Sequence, residues 1–157
     1  MSCAEIKVIC PTEKETANFG RRVALLAQKG DVFALYGTLG MGKSVFSRAF
    51  VQNLCGQTEV PSPTFTLVQM YEAPDFEIYH FDLYRLKSAE EIFELGMEEA
   101  MSEGVCLIEW PDKMESYLPR KTIKVEICPH PQGREITVIF NDEKIRQRFS
   151  ELEENKE

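Results

Sequence analysis

Residues 37–44 read GTLGMGKS and stand between the apolar run VFALY (32–36) and SVFSRAFVQNL (44–54). They satisfy G-x-x-x-x-G-K-[ST] after a strand-like run and at the opening of a helix-like one, the setting in which this pattern forms a phosphate-binding loop. Glycine admits backbone conformations closed to other residues and lets N–H groups approach an anion. Those amides, with the positive end of the helix dipole behind them, make a cradle for phosphates. The reading assigns Gly37, Thr38, Leu39, Gly40, Met41 and Gly42 to the cradle, Lys43 to the outer phosphates, and the Ser44 hydroxyl to Mg²⁺.

Working outward, VFALY is an uninterrupted apolar run, as expected of a central parallel strand covered on both faces. Before it lie a short β-prone run, Ile6 to Cys10, and a capping-box sequence, Thr12-Glu13-Lys14-Glu15. A helix follows to about Lys29, with Phe19, Val23, Leu26 and Ala27 on one face and Gly30 ending it. After the loop a helix runs from about Lys43 to Leu54 and stops near Gly56. Pro61 and Pro63 mark a loop, and Phe65–Tyr71 and Phe76–Leu83 read as an antiparallel hairpin. Ser88-Ala89-Glu90-Glu91 repeats the capping box and opens a helix carrying Ile92, Leu95 and Ala100, weakened by Gly96. Val105–Ile108 is another buried-type strand and ends at Glu109. Thr122–Cys128 and Glu135–Phe140 alternate and are joined by PHPQG, a second hairpin. The tail, 141–157, reads as a surface helix with Ile145, Phe149 and Leu152 at helical spacing amid charge. The sum is one α/β domain over 1–157: a P-loop NTPase-like three-layer sandwich, its central sheet mostly parallel with antiparallel marginal strands and helices on both faces.

Eighteen Lys and Arg against twenty-six Asp and Glu leave a net charge of −8, which argues against a broad nucleic-acid-binding face, because phosphate contacts need positive charge. Any service to RNA runs through other proteins. Cysteines at 3, 10, 55, 106 and 128 are odd in number and contain no C-x-x-C, which points to a reducing compartment. His80 and His130 are the two histidines, and the Cys128/His130 pair has no second ligand pair at finger or ribbon spacing, which argues against a zinc site. The start, MSCAEIKVIC, is not a signal peptide, and no apolar run reaches the length of a membrane span. The expected place is the cytoplasm.

A phosphate-binding loop binds nucleotide; hydrolysis also needs a carboxylate near the metal and a group to position water. In open α/β sheets such groups emerge at the carboxyl ends of strands. Glu109 ends VCLI, and Asp82 lies in IYHFDLYR on the same strand face as Ile78 and His80. The plainer alternatives are a solvated strand end for Glu109, and for Asp82 an ion pair with Arg85 or the capping of a turn. Thr64 and Thr66, in SPTFT, follow Ser44 at an interval where many P-loop switches place a threonine that senses Mg²⁺ and the γ-phosphate. Trp110 reads as packing rather than as a base-stacking platform. The chain lacks the N-K-x-D and D-x-x-G segments of guanine-nucleotide switches, which favours ATP.

Together GTLGMGKS, SPTFTLV, IYHFDLYRL, CLIEW with a later LP, and GRE resemble the bacterial TsaE (YjeE) family over about residues 8–140. The resemblance implies a cytoplasmic Mg-dependent ATPase of tRNA threonylcarbamoyladenosine biosynthesis. It docks on the complex of TsaD and TsaB, and ATP binding and hydrolysis reset that complex between rounds; tRNA is met only indirectly, and neither DNA nor membrane is a partner. By motif it implies that Lys43 and Ser44 hold phosphates and Mg²⁺, that Glu109 is the metal-side acid, and that Asp82 is a second acid near the metal or the attacking water. Thr64 belongs to the switch-like loop, and Glu13 and Arg134 to the nucleotide's surroundings. The family usually has Asp at the position of Thr38, Ala at Met41 and often Thr at Ser44. Two other readings share the loop: an interaction module gated by nucleotide binding alone, and a small-molecule kinase.

Overall fold

Strand β2, Val32–Tyr36, is the strand from which the loop departs, and its side chains are buried up to Leu35. The computed structural model describes residues 4–37, 42–56, 60 and 67–154. Within them β1 (Ala4–Cys10), α1 (Glu13–Leu26), β2, α2 (Lys43–Cys55), β3 (Val68–Glu72) and β4 (Glu77–Asp82) come first. A 3-10 segment (Ala89–Leu95), α3 (Met97–Glu103), β5 (Gly104–Glu109) and a second 3-10 segment (Pro111–Tyr117) follow. Then come β6 (Ile123–His130), β7 (Gly133–Phe140), α4 (Glu143–Arg148) and α5 (Glu151–Glu154).

The strands form one seven-stranded sheet in the order β1-β7-β6-β2-β5-β4-β3. Its four central strands, β6-β2-β5-β4, are parallel, and β1, β7 and β3 join antiparallel at the margins. The expected α/β architecture is therefore the observed one. Side chains alternate along each strand, so β2 and β5 feed two cores. Phe33, Leu35, Val105 and Leu107 pack with Phe19, Phe46 and Phe50 of α1 and α2. Val32, Cys106 and Ile108 pack with Ile92, Met97, Ala100 and Met114 on the other face.

Several boundaries moved for local reasons. Helix α1 is capped by Thr12, whose Oγ1 accepts from the Glu15 N–H at 3.3 Å, and it ends at Leu26 because Ala27 is already extended. The full reciprocal box forms at Ser88 and Glu91. The helix expected there is split, however: Gly96 adopts a left-handed conformation at φ +77°, which ends the 3-10 segment and starts α3 separately. The hairpin β3–β4 is present with Val68 opposite Phe81, while Phe65, Thr66, Pro61 and Pro63 lie outside the described residues. The segment Pro111–Tyr117 was not foreseen; proline at its first turn suits a helix start but gives no apolar period to read.

Beyond Phe140 the chain forms two short helices, α4 and α5, in place of the single helix expected, and its apolar positions dock on the core. Phe149 and Leu152 are 0% and 1% exposed, and the Phe149 ring lies 6.2 Å from that of Phe33 and 5.5 Å from that of Phe140. Arg148 forms a bidentate ion pair with buried Asp31 at 2.8 and 2.9 Å and donates to the Leu26 carbonyl at 2.8 Å. Among the described residues no helix is long and apolar enough to cross a membrane.

Candidate functional site

At the carboxyl end of β2 the backbone turns at Gly37, with φ +145°. A Cβ built there would lie 2.7 Å from the carbonyl oxygen of Ile127 in β6, so neither the conformation nor the space admits a side chain. Gly42 enters α2 at φ +102° with no side-chain cap of its own, at the helix end whose first amides have no intrahelical partner. Its would-be Cβ has ordinary room, 3.6 Å from Thr16 Cγ2 and 3.7 Å from Arg134 Nε. Gly37→Ala should therefore lower stability by about 2–3 kcal/mol and Gly42→Ala by less, since only the first adds a clash to the backbone strain; urea unfolding of the two variants measures the order.

Thr38, Leu39, Gly40, Met41 and Thr64 lie outside the described residues. The remaining assigned residues gather at one end of the parallel strands. Lys43 starts α2 and is 5% exposed, while Asp82 and Glu109, the last residues of β4 and β5, are each 6% exposed. The parallel register puts Asp82 directly beside Glu109. Ser44 is exposed at the first turn of α2. Arg134, at the start of β7, lies beside Gly42. Glu13 stands exposed at the first position of α1, one turn ahead of Thr16.

Glu109 is not a solvated strand end. Its Oε2 lies 2.7 Å from His80 Nε2 and accepts from Ser47 Oγ at 3.4 Å. Ser47 is one turn after Lys43 on the sheet-facing side of α2, and His80 is two residues before Asp82 on β4. Asp82 does cap a turn: its Oδ1 accepts from the Tyr84 N–H at 3.1 Å, one of the two plainer readings of that residue.

Burial holds the Lys43 ammonium below the usual lysine range, and Glu109, then Asp82, then Asp112 act against that fall. The cation also sits 4.1 Å from the centroid of the Trp110 ring, a cation–π contact of about 0.5–2 kcal/mol. Trp110 reaches that place because its backbone is left-handed, φ +60° and ψ +51°, rare for a bulky residue and retained where surrounding packing imposes it. Tyr84 lies against it with ring centroids 4.9 Å apart. Leu35, Tyr36, Gly37, Lys43, Trp110 and Asp112 line a cavity of about 250 Å³. The Tyr36 hydroxyl donates to Glu115 at 3.0 Å, and burial with that bond pushes its pKa up.

Sequence reasoning missed three members of this cluster, Ser47, His80 and Asp112. The period of two along IYHFD put His80 on the Asp82 face, and the spacing of four put Ser47 below Lys43, but neither says that both reach Glu109. A buried cation flanked by carboxylates at a helix start can hold phosphate oxygens through Lys43 and a hard cation through carboxylate and hydroxyl oxygens.

Residues 10–136 match the family model "Threonylcarbamoyl adenosine biosynthesis protein TsaE". The tRNA threonylcarbamoyladenosine biosynthesis protein TsaE of Rickettsia bellii is 44% identical over 143 residues, covering 90% of this chain and 99% of that protein. The protein of the same name from Treponema pallidum is 37% identical over 135 residues, covering 85% and 99%. The crystal structure of Bacillus subtilis YdiB superposes with a TM-score of 0.75 at 29% identity, over 99% of this chain and 97% of that one. With most of its length matched to one family model, and relatives of that name aligned nearly end to end, this chain belongs to the TsaE family.

Proposed function

We infer that this chain is a Mg-dependent ATPase of tRNA threonylcarbamoyladenosine biosynthesis, acting in the cytoplasm on a TsaD/TsaB complex that ATP binding and hydrolysis reset between rounds. The observation that carries the reading is the buried Lys43 at the start of α2, flanked by the register-matched strand ends Asp82 and Glu109. The family membership supplies the pathway, and the net charge of −8 supports a role toward tRNA through protein partners.

The donor set fits a magnesium ion: two carboxylates and a hydroxyl, all oxygen, beside a lysine for phosphate. Ser44, Glu109 and Asp82 would hold it, and when bound it neutralises charge that develops on the phosphoryl oxygens. Lys43 binds the outer phosphates, leaving the Trp110 face to do so. Glu109 orients the attacking water and accepts its proton at a carboxylate oxygen. Asp82, paired in register with Glu109, would support the same water or cation. Thr64 would sense the γ-phosphate, while Arg134 and Glu13 border the nucleotide.

Trp110 is the single tryptophan of the chain, so its fluorescence reports on Lys43 directly. Adding Mg-ATP should change the emission intensity saturably, and Lys43→Met should abolish the response by weakening nucleotide binding about tenfold or more, the loss of a charge-assisted contact. The wild-type protein, given γ-labelled ATP with TsaD and TsaB, should release free phosphate and be retained on the TsaD/TsaB pair. Label passing to a metabolite supports a kinase instead. Repeated rounds of tRNA modification by a hydrolysis-dead variant support a binding-only module.

A further inference from the structure

Two groups reach one oxygen of Glu109. His80 Nε2 is 2.7 Å from Oε2, a strong contact, while Ser47 Oγ at 3.4 Å is near the limit of a hydrogen bond. Among the described residues no hydrogen bond reaches Oε1. The His80 side chain is 3% exposed and that of Glu109 8%, so water does not compete freely for either.

The other ring nitrogen, Nδ1 of His80, is buried without a hydrogen-bond partner among the described residues. A hydrogen there would be a buried donor lacking an acceptor, at a cost of about 1–3 kcal/mol. A carboxylate offers an acceptor at Nε2, so the hydrogen lies on Nε2 and points at Glu109. The ring cannot turn away cheaply: His80 is mid-strand, opposite Gln69 in β3 and Leu107 in β5, and is 2% exposed.

We propose that His80 is a positioning residue for Glu109: its Nε2–H fixes Oε2, with Ser47 as a weaker second donor, so that Oε1 is the oxygen presented to the cation and the attacking water. The proposal rests on the ATPase reading above. The physical need is plain, since an unanchored glutamate at a strand end samples several rotamers, and groups around a metal-side ligand commonly govern its orientation.

The test compares His80→Leu, which removes the donor at similar volume, with His80→Gln, whose amide can place an N–H near the position of Nε2. In His80→Leu, kcat for ATP should fall about 10- to 100-fold, the Mg²⁺ concentration for half-maximal Trp110 response to ATP should rise several-fold, and KM for ATP should move little. His80→Gln should recover most of the loss. In a Glu109→Gln background, His80→Leu should have almost no further effect on kcat, because the two residues act as one unit. In the nucleotide-free wild type, ¹⁵N spectra of the imidazole should show the Nε2–H tautomer, a readout that needs neither ATP nor metal and that stands even if His80→Leu does not fold.

An Nδ1–H tautomer would overturn the positioning role while leaving the ATPase reading intact. So would a His80→Gln protein as slow as His80→Leu with equal loss of thermal stability, since His80 would then be core packing only. Wild-type protein that takes up no Mg-ATP would overturn both.

Discussion

In Glu109→Gln protein, ATP turnover should fall by about 10²- to 10⁴-fold, the range over which a positioned acid–base group contributes, with Mg-ATP affinity within a few-fold of wild type. Glutamine keeps the volume and an oxygen that His80 and Ser47 can still reach, so the variant removes charge and basicity without opening the core. Two electrostatic consequences oppose each other in binding. Glu109 is the foremost of the carboxylates that sustain the Lys43 ammonium against burial, so its loss weakens that cation's hold on phosphate. The same loss removes a negative charge near the triphosphate, which favours binding. Their partial cancellation leaves affinity little changed and concentrates the defect in kcat. Asp82→Asn should be milder, since the amide oxygen still accepts from the Tyr84 N–H. Single-turnover phosphate release with a parallel fluorescence titration separates the two effects. Turnover within tenfold of wild type would remove Glu109 from the chemistry, and joint loss of binding and stability would make it an architectural residue.

How much of this was readable in the chain depends on range. The glycine loop, the buried run of β2, the caps at Thr12 and Ser88 and the hairpin at PHPQG are local, because turn chemistry and periodicity act within a few residues. The strand-end position of Glu109 was legible, but its burial was not: that depends on His80, 29 residues away in sequence, and Ser47, 62 away, and no local pattern reports a cross-strand pair. Trp110 illustrates a second limit. A non-glycine residue at φ +60° has no sequence signature, and neither do the contacts its ring makes with Lys43 and Tyr84. The loop itself, Thr38 to Met41, and Thr64 lie outside the described residues, so those assignments still rest on motif alone.

The apolar spacing of the C-terminal segment was legible but the partners it docks against were not, and that docking leads to the other large effect. Phe149→Ala should destabilise the protein by about 3–5 kcal/mol, the usual cost of emptying a buried phenylalanine site and a large share of the 5–15 kcal/mol of a typical domain. The ring is fully buried between Phe33 of β2 and Phe140 of β7, in strands whose backbones are fixed by the sheet and cannot collapse into the hole. The neighbouring ion pair does not replace it. Asp31 already accepts from the Gln28 N–H at 2.8 Å and from both guanidinium nitrogens of Arg148, and in a buried pair the cost of desolvation offsets much of the attraction. The pair sets where α4 lies; the aromatic ring supplies most of the free energy that holds it there. Arg148→Met would still cost about 3 kcal/mol by stranding the Asp31 carboxylate, and pairing it with Asp31→Asn should recover much of that loss, whereas no substitution at Asp31 should rescue Phe149→Ala. Urea unfolding with an unchanged m-value measures each step. A Phe149→Ala cost below 1 kcal/mol would mean that the segment after Phe140 is dispensable to the core and that its docking does not bind β2, the strand that carries the loop, to the rest of the fold.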